Sequence, residues 1–252
     1  MRHLSTRGLS YSLAGAATLA ALILLLPLVD VTEPPPVARI AAYALVLVPV
    51  SLLLHGSLIT AGGYATSRLL AVGAVSAALG LSSAFLVSSG VLVGGSGVLL
   101  ALCVANLSRI LAAACLGIAL ARYVTSVGVV LIIVLAAIAS DLFSVFAGPT
   151  RVLVQENSPL LDGLLLVFPT FGSALGFGLG LSDFIFLALF AAASLFLNLR
   201  YLPTLLGVCF ATFLAATAGL MLERPLPALP FIAIAFVLVN ADLIVASLVK
   251  RG

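Results

Sequence analysis

Residues 176–190 read GFGLGLSDFIFLALF, and this stretch places one carboxylate, Asp183, inside a segment that is otherwise suited to lipid. A charged side chain at the centre of a membrane-spanning helix costs about 2.5–3.5 kcal/mol on insertion scales. Such residues face a bundle interior or a water-filled cavity and by default mark a function, although a neutral aspartic acid can also serve only as a hydrogen-bond partner between helices. Asp183 is therefore a candidate functional residue.

The composition is that of an integral membrane protein. Of 252 residues, 63% are hydrophobic and 8% are charged, and the mean hydropathy is +1.37, whereas a soluble domain has about 25% charged residues. The net charge of +3 comes from 11 basic and 8 acidic residues, and the basic residues form no large patch, which argues against nucleic acid. The three cysteines lie in apolar runs, and no metal- or nucleotide-binding motif occurs, so neither a metal nor a cofactor is predicted.

Runs of about 20 apolar residues predict membrane-spanning helices. Seven are clear, at 11–29, 37–60, 66–88, 126–147, 176–197, 202–222 and 228–249. The first run is too long for the core of a signal peptide, so it is interpreted as a spanning helix. Residues 90–123 predict either one long helix or two short ones that turn near Asn106–Arg109. The predicted fold is an all-α polytopic bundle of eight or nine transmembrane helices.

The distribution of basic residues favours eight helices. With the N-terminus inside, eight spans place seven Lys and Arg residues on the inner side and three on the outer side, whereas nine spans leave almost no bias. We expect an N-terminal scaffold of helices over 1–125 and a catalytic region over 126–252, which contains the non-spanning segment 148–175. The protein is expected to be a multi-pass protein of the cell membrane.

Three acidic residues lie inside predicted spans: Asp141, Asp183 and Asp242. Asp141 precedes Gly148, a predicted helix end, by seven residues, and Asp183 follows Gly176, a predicted helix start, by seven. In antiparallel helices this puts both carboxylates about 10 Å from the same membrane face. Two close carboxyl groups in a low-dielectric site share a proton, which is the chemistry of an aspartic protease. Asp242, about 21 Å along the last helix, is expected to be structural or peripheral.

Two further patterns lie near this predicted site. Gly172, Gly176 and Gly180 recur every four residues and would form one face of a helix, where small residues allow close packing. The segment Leu226–Pro230 is expected on the same side of the membrane as both aspartates. Its two prolines favour an extended backbone, although proline in the first turn of an ordinary helix explains them better when the segment is taken alone.

Together these motifs resemble the presenilin and signal-peptide-peptidase family of intramembrane aspartyl proteases, over roughly residues 97–249. The family carries YD on one helix, GxGD on the next and PAL at the start of the last. The corresponding residues are Ser140-Asp141, Gly180-Leu181-Ser182-Asp183 and Pro227-Ala228-Leu229. Serine replaces the family's tyrosine at 140 and its second glycine at 182. The resemblance implies a presenilin-like bundle with Asp141 and Asp183 as catalytic residues and with substrate contacts from Gly180, Leu181, Ser182, Pro227, Ala228 and Leu229.

The activity that the resemblance implies is cleavage of peptide bonds within transmembrane segments of other proteins. A helical substrate must unwind first, and the extended peptide could pair as a strand near Pro227–Leu229 or with Thr150–Gln155, whose Val-Leu-Val favours a strand. Two alternatives stay open. A proton-coupled transporter would use the aspartates as a relay, although no internal repeat of hydropathy is visible. An inactive relative would bind transmembrane segments without cutting them, which Ser182 leaves open.

Overall fold

A computed structural model describes residues 2–29, 34–89, 95–148, 164–224 and 226–249 of the chain. Within these ranges the chain folds as a bundle of helices that holds a two-stranded β-hairpin. The elements are α1 (Arg2–Leu25), a 3₁₀ turn (Leu26–Leu28), α2 (Pro36–Ala61), α3 (Thr66–Ser88), α4 (Gly95–Ala121), α5 (Val127–Phe146), β1 (Leu165–Thr170), β2 (Ser173–Gly180), α6 (Leu181–Phe196), α7 (Tyr201–Met221), α8 (Leu229–Val239) and α9 (Ala241–Val249).

The helices are those of a multi-pass integral membrane protein, as predicted. Six described helices are long and apolar enough to cross a bilayer: α1, α2, α3, α4, α5 and α7. The pair α8 and α9 is a seventh candidate that bends by 67° at its break. Helix α6 is apolar but has only 16 residues, or about 24 Å of length, against a hydrocarbon core of about 30 Å. Helix length therefore supports six or seven spans.

Two predicted boundaries change. Residues 95–121 form one helix, so the alternative of two short helices near Asn106–Arg109 is wrong. The helix predicted from residue 176 begins at Leu181 instead, because residues 173–180 form strand β2. The proposal that Gly172, Gly176 and Gly180 form one helix face is therefore wrong. The strand predicted at Thr150–Gln155 lies outside the described residues.

Helix α6 lies at the centre of the bundle. It packs against α4, α7 and α8, and every residue from Leu187 to Ser194 is buried. Gly117 of α4 allows the closest approach, because a Cβ there would lie 2.5 Å from the carbonyl oxygen of Ile185. Helix α5, in contrast, packs mainly against α8 and α9 and leaves much of its surface exposed.

Arg122 identifies which turns share one side of the bundle. Its guanidinium donates to the carbonyl oxygen of Ala61 and to Oγ1 of Thr66, both at 3.0 Å, and so joins the α2–α3 and α4–α5 turns. The α6–α7 turn borders the same surface hollow. We call this side the Arg122 face. The α7–α8 loop lies at the opposite end of α7, on what we call the Arg224 face.

Helices α1 and α2 pack so closely that glycine is required at their contact. A Cβ at Gly15 would lie 2.6 Å from the backbone nitrogen of Leu53. A Cβ at Gly56 would overlap the backbone nitrogen of Ser12. Since backbone atoms cannot rotate away, the helices would have to separate.

We expect Gly56→Ala to destabilise the protein by about 1–3 kcal/mol, the usual range for an overpacked contact. The measurement is the thermal unfolding midpoint in detergent. Gly63→Ala is the matched control, because a Cβ at Gly63 meets nothing within 4 Å. Equal midpoints for the two variants would contradict the close α1–α2 contact.

Candidate active site

Asp141 and Asp183 line the same cavity. It has a volume of about 580 Å³ and is bordered by α5, α6, α7 and the β-hairpin. Asp183 is the third residue of α6 and is 9% exposed, and Asp141 near the end of α5 is partly buried. The two carboxylates are close enough to interact electrostatically. The structure thus brings together the two aspartates that the sequence pairs.

Asp141 caps a helix other than its own. Its Oδ2 accepts a hydrogen bond of 2.9 Å from the backbone N–H of Leu229, the first residue of α8. The N–H groups in the first turn of a helix lack partners within that helix, and the preceding Ala228 has no side chain that can cap. A carboxylate at this end also interacts favourably with the helix dipole. Asp141 therefore ties α5 to the Pro227–Leu229 segment.

Asp183 caps its own helix. Its Oδ2 accepts a hydrogen bond of 3.2 Å from the backbone N–H of Gly180, the residue that precedes α6. A Cβ at Gly180 would lie 3.0 Å from that same oxygen. Glycine at 180 therefore leaves room for the carboxylate, which explains this position of the motif in packing terms. Ser182 is exposed and also lines the cavity.

The predicted reason for pairing the aspartates is only partly right. The predicted equal depth of the two carboxylates depends on a helix that begins at Gly176. Helix α6 begins at Leu181 instead, so Asp183 lies in its first turn and not seven residues inside it. Residues 173–180 are extended and advance about 3.4 Å per residue, not 1.5 Å. The two carboxylates line one cavity because a strand carries the chain into the bundle before helix α6 starts.

Two buried polar residues of α4 hold the hairpin. The side-chain amide of Asn106 donates to the carbonyl oxygen of Val167 and accepts from its N–H at 3.1 Å. One turn further, Nη1 of Arg109 donates to the carbonyl oxygen of Leu165. Both side chains are at most 3% exposed. Asn106 therefore bonds to β1 in both directions, as a neighbouring strand would.

Beyond these contacts, few backbone hydrogen-bonding groups on the outer edge of β1 require a partner. Leu165 and Val167 point their backbone groups to α4, and the next residue of the same orientation is Pro169, which has no N–H to satisfy. Unpaired backbone groups are costly in a bilayer. Side chains of α4 and one proline thus replace a third strand.

The free edge of the sheet is on β2. Opposite residues in an antiparallel pair either exchange hydrogen bonds or direct their backbone groups outward. Val167 uses its backbone groups for Asn106, so its partner Gly178 has an outward-directed backbone. Gly178 and Gly180 line the cavity, and within the described ranges the sheet has only two strands. The Gly180 N–H already donates to Asp183, so the backbone of Gly178 is the part of this edge that can pair with an extended peptide.

The other predicted residues occupy distinct places. Gly180, Leu181, Ser182 and Ala228 line the cavity, whereas Pro227 and Leu229 are buried beside it. Asp242 lies outside the cavity lining and pairs with Arg200 at 2.7 Å, with both side chains about half exposed. Among the described residues, no three His, Cys, Asp or Glu side chains are grouped to hold a metal ion.

Asn106 and Arg109 are the site-forming residues that sequence reasoning missed. They lie three residues apart in an otherwise apolar helix, so they share a face. Two polar residues on one face of a spanning helix cost free energy in a membrane, which indicates that they have a buried polar partner. That partner is backbone, which carries no pattern of its own in the sequence.

No protein-family model matches the chain, and no curated protein or solved structure matches it either. The fold and the cavity themselves define the class: a multi-pass helical membrane protein in which two aspartates within the bundle line one cavity.

We expect Asn106→Leu to loosen the hairpin, because it leaves the buried N–H and carbonyl groups of Val167 unpaired at a cost of about 1–3 kcal/mol each. Hydrogen exchange of residues 165–180 should become faster. Thr212→Val is the matched control, since it removes a buried hydroxyl that bonds only within α7. Unchanged exchange in Asn106→Leu would show that the hairpin is held by other contacts.

Proposed function

We propose that the protein is an intramembrane aspartyl protease of the presenilin-like kind, which hydrolyses peptide bonds within transmembrane segments of other proteins. The observation that supports this best is the hydrogen bond from the Leu229 N–H to Asp141 in a cavity that Asp183 also lines. Three separate sequence motifs meet there. The substrates are single membrane-spanning segments, and the protein acts within a cell membrane.

The proposed topology has eight crossings, with both ends of the chain on the Arg122 face. Helices α1 to α7 supply seven, and the bent pair α8 and α9 supplies the eighth. Helix α6 is too short alone, but β2 leads into it without a break and adds length to the crossing. Arg68, Arg122 and Arg200 then lie on the inner side, as the positive-inside rule favours.

The chemistry needs only the two carboxyl groups and water. Two carboxyl groups that repel each other in a low-dielectric site hold one proton between them. The charged carboxylate takes a proton from water, whose oxygen attacks the peptide carbonyl carbon, while the protonated carboxyl donates to the carbonyl oxygen. The C–N bond then breaks, and the amine leaves with the proton that water gave up.

Water has a physical reason to be present at this depth. Extended backbone occurs within a membrane only where protein buries it or where it lines a water-filled cavity. On β1, the Leu165 carbonyl and both backbone groups of Val167 bond to α4, whereas the outer edge of β2 borders the cavity. The polar edge, Ser182 and the two carboxylates make this cavity suitable for water.

The substrate would bind as a strand on the free edge of β2. Backbone pairing of this kind is independent of side-chain identity, and alternate side chains then enter pockets. Gly178 and Gly180 present no side chains that would hinder the approach of a peptide. Pairing would also keep the unwound segment extended next to Asp183, which follows Gly180 by three residues.

A proton-coupled transporter is less well supported. Its best feature is the break at Asn240, since transporters use interrupted helices to bind ions. Asn240 is fully buried, but its amide donates to Oγ1 of Thr204 at 2.8 Å and accepts from the Arg200 N–H at 3.0 Å. Those groups are occupied by protein, and they lie outside the cavity lining. An inactive binder of transmembrane segments differs from a protease only in turnover.

We expect Asp141→Asn and Asp183→Asn each to reduce cleavage by at least about 10²-fold, because general acid–base catalysis contributes about 10²–10⁴-fold. Asparagine keeps an oxygen for the Leu229 or Gly180 N–H, so the fold should persist. The assay is cleavage of a transmembrane peptide by purified protein in detergent. Asp242→Asn, the matched control, should retain activity. A variant of either cavity aspartate that stays active, or resistance to a transition-state analogue of aspartic proteases, would exclude this mechanism.

We expect Ala228→Trp to block cleavage, because Ala228 is 7% exposed in the cavity wall and precedes the residue that holds Asp141. A shift of about 1 Å at an active site can cost 10²-fold. Ile234→Trp is the control on the same helix, since Ile234 is 52% exposed on the outer surface. Turnover numbers should fall for the first variant and not for the second. Equal activities would remove the Pro227–Leu229 segment from the site.

A further inference from the structure

The cavity wall contains a cation that the proposed chemistry does not use. Arg224 lies in the loop between α7 and α8 and lines the cavity together with both aspartates. Its place in the loop is fixed by the way α7 ends. Glu223 adopts a left-handed conformation with φ of 50°, and the N–H of Arg224 donates to the carbonyl oxygen of Gly219 at 3.2 Å. This is a Schellman end, which sets the direction of the chain.

The Arg224 charge is not neutralised within the described part of the chain. The ion pair found there joins Arg200 to Asp242, on the Arg122 face. The side chain of Glu223, next to Arg224 in sequence, forms no ion pair with it. The part of the cavity lining that comes from the same helix end and loop as Arg224 is apolar, with Ala216, Leu220 and Leu226. Arg224 itself is exposed, so its guanidinium is accessible to an anion in the cavity.

The same loop connects Arg224 to the two aspartates of the cavity. Leu229, whose N–H donates to Asp141, follows Arg224 by five positions. Fully extended, five residues reach at most about 17 Å. A peptide with its scissile bond at the aspartates therefore has its next few residues, toward the Arg224 face, within reach of the guanidinium.

We propose that Arg224 binds a carboxylate of the substrate and so selects its sequence. The group is a Glu or Asp side chain within about five residues of the cleaved bond, on the side that leads to the Arg224 face. A guanidinium pairs with a carboxylate through two parallel hydrogen bonds, which gives direction as well as attraction. This inference rests on the proposed protease function for its substrate but not for the binding contact itself.

The test uses a transmembrane peptide without acidic residues and five derivatives, each with one glutamate at a successive position toward the Arg224 face. Cleavage by the unaltered protein and peptide binding to Asp183→Asn are measured in neutral detergent. At one or more positions glutamate should raise kcat/KM and tighten binding by up to about fivefold, the upper end for an exposed ion pair. Arg224→Gln should abolish this preference and leave the parent peptide unaffected.

Charge reversal makes the assignment specific. Arg224→Glu should prefer peptides with lysine at the same position, and Arg68→Gln on the Arg122 face should behave as the unaltered protein. If Arg224→Gln slows all peptides equally, or if glutamate has no effect on cleavage and binding, Arg224 is structural or binds a lipid phosphate and the inference is wrong. If binding shows the Arg224-dependent preference but no peptide is cut, the carboxylate contact stands and the protease function fails.

Discussion

A β-hairpin at the depth of a bilayer must satisfy its backbone hydrogen bonds without bulk water, and most of this structure follows from that need. Each unpaired group there costs several kcal/mol. Asn106 and Arg109 lie near the middle of the 27-residue helix α4, so the strand they hold is also at mid-depth. The hairpin can exist at this level because α4 supplies donors and an acceptor on one edge. The second edge, which no other strand of the described residues pairs with, gives the cavity its polar backbone.

This arrangement links the two predicted regions of the chain. Residues 1–125 were expected to be a scaffold and 126–252 to carry the site. Through Asn106, however, helix α4 fixes β1, and Tyr43 of α2 packs on Phe177 of β2 with ring centres 3.9 Å apart. Tyr43 also lines the cavity. The N-terminal helices therefore set the position of the strand that leads to Asp183, and the cavity is built from both halves.

Hydropathy was enough to predict the long helices, because a run of 20 apolar residues has few other solutions in a membrane. The same rule wrongly predicted that the helix begins within residues 173–180, since glycines four apart fit a helix as well as a strand. Alternation of Gly with Phe177 and Leu179 was visible, but the choice depended on Asn106, which is remote in sequence. The carboxylates were easier to identify, since a buried charge is expensive wherever it lies. The sequence did not identify Arg224 as a functional residue, because an arginine at the end of a membrane span is ordinary.

The two aspartates share a feature that neither motif reveals alone: each accepts the N–H of a residue at a helix start. Asp141 binds Leu229 at the start of α8, and Asp183 binds Gly180 at the start of α6. Helix N-termini carry a partial positive charge of about half an elementary charge. Two of them therefore converge on one cavity and offset part of the cost of holding a negative charge away from bulk water. The proposed dyad needs one charged and one neutral carboxyl at the same time, and the paired helix starts help to keep that charge in a cavity that Arg224 also lines.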